Sequence, residues 1–362
     1  MSKVAVGLSG GIDSGTTALM LKEQGYEVMG VTMWLFDHQS GELEAAKRVA
    51  QAIGIEHHIL DYREAFKSQV VHTFITQYEQ GLTPNPCILC NRVFKYGKLI
   101  EDCVALGADF FATGHYVRVN YDETSDEYQL LRAKNRSKDQ SYNLYHLSQE
   151  TLSRLVLPLG TKASKDEVRA HFAALNLELA QKKDSLGICF IEHKNHSLFL
   201  SEIQSPAMQK GTFIDKVGHV LGYHDGTANF TIGQKRRLGV DLKGQYLNGK
   251  YVVTELRPST NEVVLGTEDD LLVYEITCSD YKVVSPSLKT QLIAETHKMN
   301  PAPLEVEVIV SQWSAVYQGK LTLCEDSSKA KLVFESPVRA PAKGQALVCY
   351  IGELLIGGGI IS

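Results

Sequence analysis

The sequence predicts an α/β chain, a doubly wound, Rossmann-like parallel sheet followed by two small β-rich domains, the last a β-barrel. Short apolar runs alternate with helical stretches from Val4 to about Cys189. A Ser9-Gly10-Gly11 turn joins the first run to the first helix. Beyond about residue 205 the segments become short, β-rich and separated by Gly, Asn, Asp or Pro. A chain of 362 residues exceeds the roughly 250–300 that one core serves. The expected units are therefore residues 1–204, 205–280 and 281–362.

Val4 to Leu8 reads as a buried strand, Thr17 to Glu23 as a helix closed by Gly25, and Val28 to Trp34 as a second strand. Leu43 to Ile53 is helical and Ile55 to Leu60 is strand-like, which repeats the β-α-β unit of a parallel sheet. Asn91 to Leu106 gives a further helix, followed by the strand Asp109 to Thr113 and the turn Gly114-His115. In the β-rich part, Gly211 to Val220, Tyr251 to Leu256 and Glu262 to Leu265 are strands, with a junction near 275–285. Gln345 to Tyr350, Gly352 and Gly357 to Ile361 suit a compact barrel with tight corners.

The composition, 44% apolar and 22% charged, is that of a globular protein. No run approaches the ~20 apolar residues of a membrane span, and Met1-Ser2-Lys3 leads straight into a strand, so a cytoplasmic location without membrane contact is expected. Seven cysteines at irregular spacing do not form a disulfide framework and leave metal or catalytic roles open. A formal charge of −5 excludes a globally basic nucleic-acid binder. RNA contact must rest on local patches, for which Arg92-Lys95-Lys98, Lys134-Arg136-Lys138, Lys182-Lys183 and Lys235-Arg236-Arg237 qualify.

Gly7, Leu8, Ser9, Gly10, Gly11, Ile12, Asp13 and Ser14 stand where a parallel strand delivers the chain to a helix N-terminus. Unpaired backbone N–H groups and the helix dipole favour an anion there. The glycines admit phosphate oxygens, Ser9 and Ser14 supply hydroxyls, and Asp13 is expected to act through a bound Mg²⁺ that offsets its charge. A plain serine-capped turn explains the two glycines but not the full string. The segment resembles the pyrophosphate-loop ATPases, which cleave ATP between the α and β phosphates and adenylate a carbonyl oxygen. That resemblance implies ATP at this loop, with Met33 by the adenine and Gly114 against the nucleotide.

Thr83 to Asn91 carries Cys87 and Cys90, read as lying directly before a helix. The dipole, with Arg92 and Lys95, is expected to lower the pKa of Cys90. Cys189 follows Lys182-Lys183 in a glycine-containing turn, which also favours thiolate. Cys103, Cys278, Cys324 and Cys349 sit in apolar runs and read as small buried hydrophobes. A structural zinc site commonly needs two cysteine pairs, and one is present.

Five blocks, GLSGGIDS at 7–14, TPNPCILCN at 83–91, ATGHYVRV at 112–119, KDQSYNLY at 138–145 and DSLGICFI at 184–191, resemble the bacterial tRNA-specific 2-thiouridylases. FTIGQKRRLGV at 230–240 and GQALVCYIGELLIGGGII at the C-terminal end extend the resemblance over nearly the whole chain. It implies ATP-dependent 2-thiolation of the wobble uridine, U34, of the Lys, Glu and Gln tRNAs. Cys189 would receive sulfur from a relay protein as a persulfide, and Cys90 would free it by forming a disulfide with Cys189. It also implies tRNA contacts at Asn85, Pro86, Cys87, His115, Lys138, Asp139, Gln140 and Gln345. His297-Lys298 stand where the family usually has Arg-Tyr, and the two β domains read as clamps on the anticodon stem-loop. Many members carry Asp at the place of Cys87, so that acid's proton-handling role does not carry over. Cys87, Cys90 and Cys189 together match the ligands of a [4Fe–4S] cluster with one open iron, an alternative to persulfide and disulfide chemistry.

Overall fold

The computed structural model describes residues 1–173, 175, 187–192, 195–312, 314–339 and 341–362. Strand β1 (Lys3–Gly7) shows the period of two that a sheet buried on both faces requires. Val4 and Val6 pack into one core with Leu21, Val49 and Phe172, while Ala5 joins another with Met29, Phe94 and Phe111. Helix α1 (Ile12–Glu23) covers the first face, and the left-handed Gly25 (φ +86°) follows it. Strand β2 (Glu27–Trp34), helix α2 (Ser40–Ile53) and strand β3 (Glu56–Asp61) complete the first half.

A long helical run then crosses the other face. It contains α3 (Arg63–Phe66), a π-helical stretch Lys67–Val71, α4 (His72–Glu79), α5 (Pro86–Cys90), a second π-helical stretch Asn91–Lys98 and α6 (Leu99–Ala105). The helix expected from Asn91 begins instead at Pro86. The Asn85 side chain accepts from the Ile88 N–H at 3.4 Å, and proline at the first helical position forfeits no hydrogen bond.

Strand β4 (Phe110–Ala112) returns to the sheet beside β1. The hairpin β5 (Val117–Asp122) and β6 (Glu127–Arg132) comes next, where the sequence reading had only further α/β texture. After α7 (Gln149–Ser153), β7 (Leu155–Val156) closes the parallel sheet, whose order is β3-β2-β1-β4-β7. The chain builds outward from β1 in one direction, then resumes on its other side. The crevice at the carboxyl ends of β1 and β4 is therefore the switch point where such sheets bind ligands.

Helices α8 (Lys165–Ala173) and α9 (His196–Glu202) lead to a small sheet of β8 (Gly211–Ile214), β9 (Val220–His224), β10 (Val252–Arg257) and β11 (Glu262–Gly266). Its order is β10-β11-β8-β9, and it has its own core around Phe213, Phe230 and Val253. Strand β12 (Leu272–Val283) runs through the 280/281 boundary expected between the two β domains, so that position falls inside a barrel strand. Helix α10 (Pro286–Thr296) is followed by β13 (Leu304–Ile309), β14 (Val316–Leu323), β15 (Ala330–Arg339), β16 (Ala346–Ile351) and β17 (Leu354–Ile361). Pairing of β12 with both β15 and β17 closes the barrel, and the β5–β6 hairpin is appended to it through β17.

The barrel also shares a core with the parallel sheet. Ala346, Val348, Tyr350 and Leu355 pack in one apolar cluster with Met29, Val31, Phe94 and Phe111. The Tyr142 hydroxyl donates to the Ala346 carbonyl at 2.8 Å, and the Arg132 guanidinium lies 3.7 Å above the Tyr350 ring. Continuous burial of this kind makes the barrel part of the frame around the crevice rather than a separately hinged unit.

Candidate active site

The turn Ser9-Gly10-Gly11 lies at the switch point. Gly10 has φ +69°, and a Cβ there would stand 2.5 Å from that of Ala45, so both dihedral and space require glycine. Gly11 caps α1 in an extended conformation without a side-chain cap, which leaves first-turn N–H groups for a ligand. The Ser14 hydroxyl accepts from the Ser9 N–H and donates to the Gly11 carbonyl, each at 3.2 Å. Gly114 presses on this loop: a Cβ would come within 2.8 Å of the Asp13 carbonyl carbon and the Ser14 nitrogen. Gly7, Leu8 and Ile12 shape the loop from strand and helix, with Leu8 and Ile12 buried in the first core.

Asp13 differs from expectation. Lys165, only 9% exposed at the start of α8, places Nζ 2.7 and 2.5 Å from the two Asp13 carboxylate oxygens. The Tyr116 hydroxyl donates to the same carboxylate at 2.8 Å. The charge offset assigned to Mg²⁺ comes from an ammonium, so this carboxylate does not fit a metal ligand as arranged. At the end of β2, the Met33 carbonyl accepts from Gln39 Nε2 at 2.9 Å, and the Gln39 carbonyl oxygen takes the Leu35 N–H at 2.7 Å. That staple shapes the turn beside Met33.

A polar relay joins the loop to the cysteines. Thr113, at the end of β4, and His115 flank Gly114, and His115 Nδ1 lies 2.8 Å from Thr113 Oγ1 and 2.9 Å from the Tyr96 hydroxyl. Tyr96 belongs to the π-helical stretch that continues directly from Cys90. Burial, with the Lys95 charge, holds the His115 pKa well below its ordinary value and keeps the imidazole neutral.

The thiols are not the thiolates expected. Cys90 stands one turn into the helix rather than at its start, and burial pushes its pKa up to about 11 against the opposing pull of Lys95. Arg92 does not support it, because its guanidinium pairs with Asp280 of β12. Cys189 is pushed up to about 12 by burial and by the neighbouring Cys90 and Cys87, so the three thiols are close enough to feel one another. Cys87, at the second helical position, is likewise raised by burial. Cys87 and Cys189 are nonetheless exposed at the surface and Cys90 half-buried, which leaves them accessible to a sulfur donor. Cys103, Cys278 and Cys349 are buried as expected, whereas Cys324 is half-buried. Lys182 and Lys183 lie outside the described residues. No three His, Cys, Asp or Glu side chains among the described residues are grouped so as to hold a single metal ion.

The residues assigned to tRNA divide into two groups. Asn85, Pro86 and Cys87 open helix α5, His115 follows the Gly114 that packs on the Ser9–Ser14 loop, and Lys138 closes a turn Arg136–Lys138. Asp139 is instead engaged internally, accepting from the Ala133 N–H at 2.9 Å and the Ser141 hydroxyl at 2.8 Å. Gln140 accepts the Tyr116 N–H at 2.9 Å, and Gln345 Nε2 donates to the Thr83 carbonyl at 2.8 Å, fastening the cysteine loop to the barrel. His297 and Lys298 follow α10 at the exposed surface, where Lys298 pairs with Glu295. The basic patches are partly neutralised as well: Lys98 pairs with Asp102 at 3.4 Å, Arg136 with Glu353 at 3.4 Å and Lys235 with Glu268 at 2.9 Å. Sequence reasoning missed Lys165, Tyr116, Tyr96 and Thr113. Thr113 and Tyr116 lay within a recognised block, but a lysine 152 residues from its aspartate gives no local signal.

Three family models match in succession: a tRNA methyl transferase HUP domain over residues 2–193, a tRNA methyl transferase PRC-barrel domain over 197–267 and an aminomethyltransferase beta-barrel domain over 288–361. The tRNA-specific 2-thiouridylase MnmA of Clostridium perfringens is 38% identical over 372 residues, covering 99% of this chain and 98% of the relative. The corresponding protein of Carboxydothermus hydrogenoformans is 40% identical over 377 residues, covering 99% and 97%. A parallel HUP-domain sheet with a glycine turn at its switch point and full-length identity at this level make one assignment: the chain belongs to the tRNA-specific 2-thiouridylase family of tRNA sulfurtransferases.

Proposed function

We propose that the chain adenylates O2 of the wobble uridine, U34, of the Lys, Glu and Gln tRNAs and replaces that oxygen with sulfur carried on Cys189. The observation that carries this reading is the continuity of the crevice. Gly114 packs on the phosphate loop, His115 binds Tyr96, and Tyr96 stands on the helix that bears Cys90, which in turn lies near Cys189. A nucleotide α-phosphate at the loop and a sulfur at the cysteines can therefore address one base held between them.

ATP arrives with Mg²⁺ on its phosphates. O2 of the uracil attacks the α-phosphorus and pyrophosphate leaves, converting a poor leaving group into AMP. The terminal sulfur of a Cys189 persulfide, loaded by a relay protein in the cytoplasm, attacks C2 and AMP departs. The Cys90 thiol then loses its proton to solvent as it attacks Cys189 Sγ, which forms the Cys90–Cys189 disulfide and leaves the sulfur on C2, and an external dithiol reopens the disulfide. The flipped base would be held near Asn85, Pro86 and Cys87, with the stem contacted by Lys138, Gln140 and the barrel surface around His297-Lys298.

Reconstitution of the full chain with ATP, tRNA and a persulfide donor tests the reading. One AMP and one pyrophosphate are expected per 2-thiouridine formed, and Cys90→Ser or Cys189→Ser should retain ATP binding but lose turnover. Undiminished thiolation by both serine variants would refute it, as would iron-dependent activity supported by free sulfide.

A further inference from the structure

Adenylation at O2 requires that the N3 proton of the uracil go somewhere, since the ring cannot become an O2-phosphoryl imidate while N3–H remains. Among the described residues, few bases stand at the crevice. Asp13 is committed to Lys165 and Tyr116, and the cysteines are held as thiols. Of the remaining groups, His115 stands between the phosphate loop and the cysteine helix, the residue after the glycine that touches Asp13.

Among the described residues, only one of its ring nitrogens has partners. Nδ1 is held by both Thr113 Oγ1 and the Tyr96 hydroxyl, at 2.8 and 2.9 Å. Nε2 makes no hydrogen bond to another of the described residues, yet it is not among the buried unsatisfied atoms, in contrast to Nε2 of His146 and His224. The ring is thus fixed at one edge and open at the other. Two partners on Nδ1 set the ring plane in the way that an orienting group sets a catalytic imidazole.

We propose that His115 is the general base of the adenylation step, with Nε2 taking the N3 proton of the target uridine, an inference that rests on the adenylation reading above. As the O2–Pα bond forms and the Pα–O bond to pyrophosphate breaks, the N3–H bond breaks. Its electron pair stays in the ring and the proton forms Nε2–H. The phosphates beside Gly114 supply the negative charge that favours the imidazolium in the occupied site. When the sulfur is released on C2 as a thione, the proton returns to N3 and His115 is neutral again. Thr113 and Tyr96 are positioning residues for this ring.

His115→Asn keeps a polar atom near the place of Nδ1 and removes Nε2, whereas His115→Gln presents an amide near the place of Nε2 that cannot take a proton at neutral pH. Single-turnover AMP formation at saturating ATP and tRNA should fall about 10²- to 10³-fold in both variants, the range of a lost general base. Because His115 is also expected to contact tRNA, the deficit should persist at saturating tRNA whatever the change in filter-binding Kd, and imidazole should restore part of the rate to a His115→Ala protein. A rate within threefold of the parent in His115→Asn would overturn the proposal. So would a deficit that disappears on raising tRNA concentration, which marks a binding role. A parent protein that forms no AMP with tRNA present would instead overturn the adenylation reading itself.

Discussion

Replacing Lys165 with methionine separates the two tasks its position suggests, holding Asp13 and meeting a phosphate. The ammonium lies 2.5 and 2.7 Å from the Asp13 oxygens, at 9% and 31% side-chain exposure for the two residues. Breaking a fully buried pair costs about 3–5 kcal/mol because one charge is stranded. Here Asp13 keeps the Tyr116 hydroxyl and partial access to water, so about 1–3 kcal/mol is expected. If the same ammonium also meets a nucleotide phosphate, ATP loses a charge-assisted hydrogen bond of about 1.5–3 kcal/mol, or roughly 10- to 150-fold in Kd. Adding Asp13→Asn removes the stranded carboxylate, so the double variant should recover most of the stability but none of the ATP affinity. Urea unfolding without nucleotide reads the first quantity and calorimetric titration with ATP the second. A Lys165→Met protein that binds ATP within twofold of the parent would refute the phosphate role, and an unchanged unfolding midpoint would refute the buried pair.

Gly114→Ala should abolish measurable ATP binding while the protein stays folded, since the added carbon meets the Asp13 and Ser14 backbone at 2.8 Å; retained affinity in the same titration would contradict this. Alkylation of Cys90 and Cys189 by iodoacetamide in the unliganded protein should rise about tenfold per pH unit from pH 7 to 9 without a plateau. Raised pKa values of about 11 and 12 mean that the thiolate fraction is still climbing there, and a plateau below pH 8 in mass-spectrometric rates would disprove the assignment. Gln345→Ala should destabilise the cysteine loop locally by about 1 kcal/mol, the worth of one hydrogen bond, seen as faster amide exchange in peptides covering Thr83 to Cys90. Unchanged exchange there would show that the barrel does not support the loop.

The sequence by itself determined the features that depend on neighbours along the chain. The buried apolar run that begins at Val4, the Gly10-Gly11 turn and the closing Gly25 are local consequences of side-chain character and backbone freedom, and the structure places them as read. The helix start at Asn85-Pro86, five residues ahead of the expected Asn91, is also a local signal of capping side chain and proline. The β5–β6 hairpin shows alternation in VRVNYD and EYQLLR, though its destination on the barrel edge is nonlocal.

Only the tertiary structure decided the electrostatics. A partner's charge and the loss of water act through space, and neither leaves a trace in sequence spacing. Lys165 reaches Asp13 from another helix, Arg92 turns to Asp280 in the barrel, and burial outweighs helix dipole and Lys95 at Cys90. The same holds for the shared core of barrel and sheet. Apolar runs announce that a surface will be covered, whereas which surface covers it depends on how the whole chain closes.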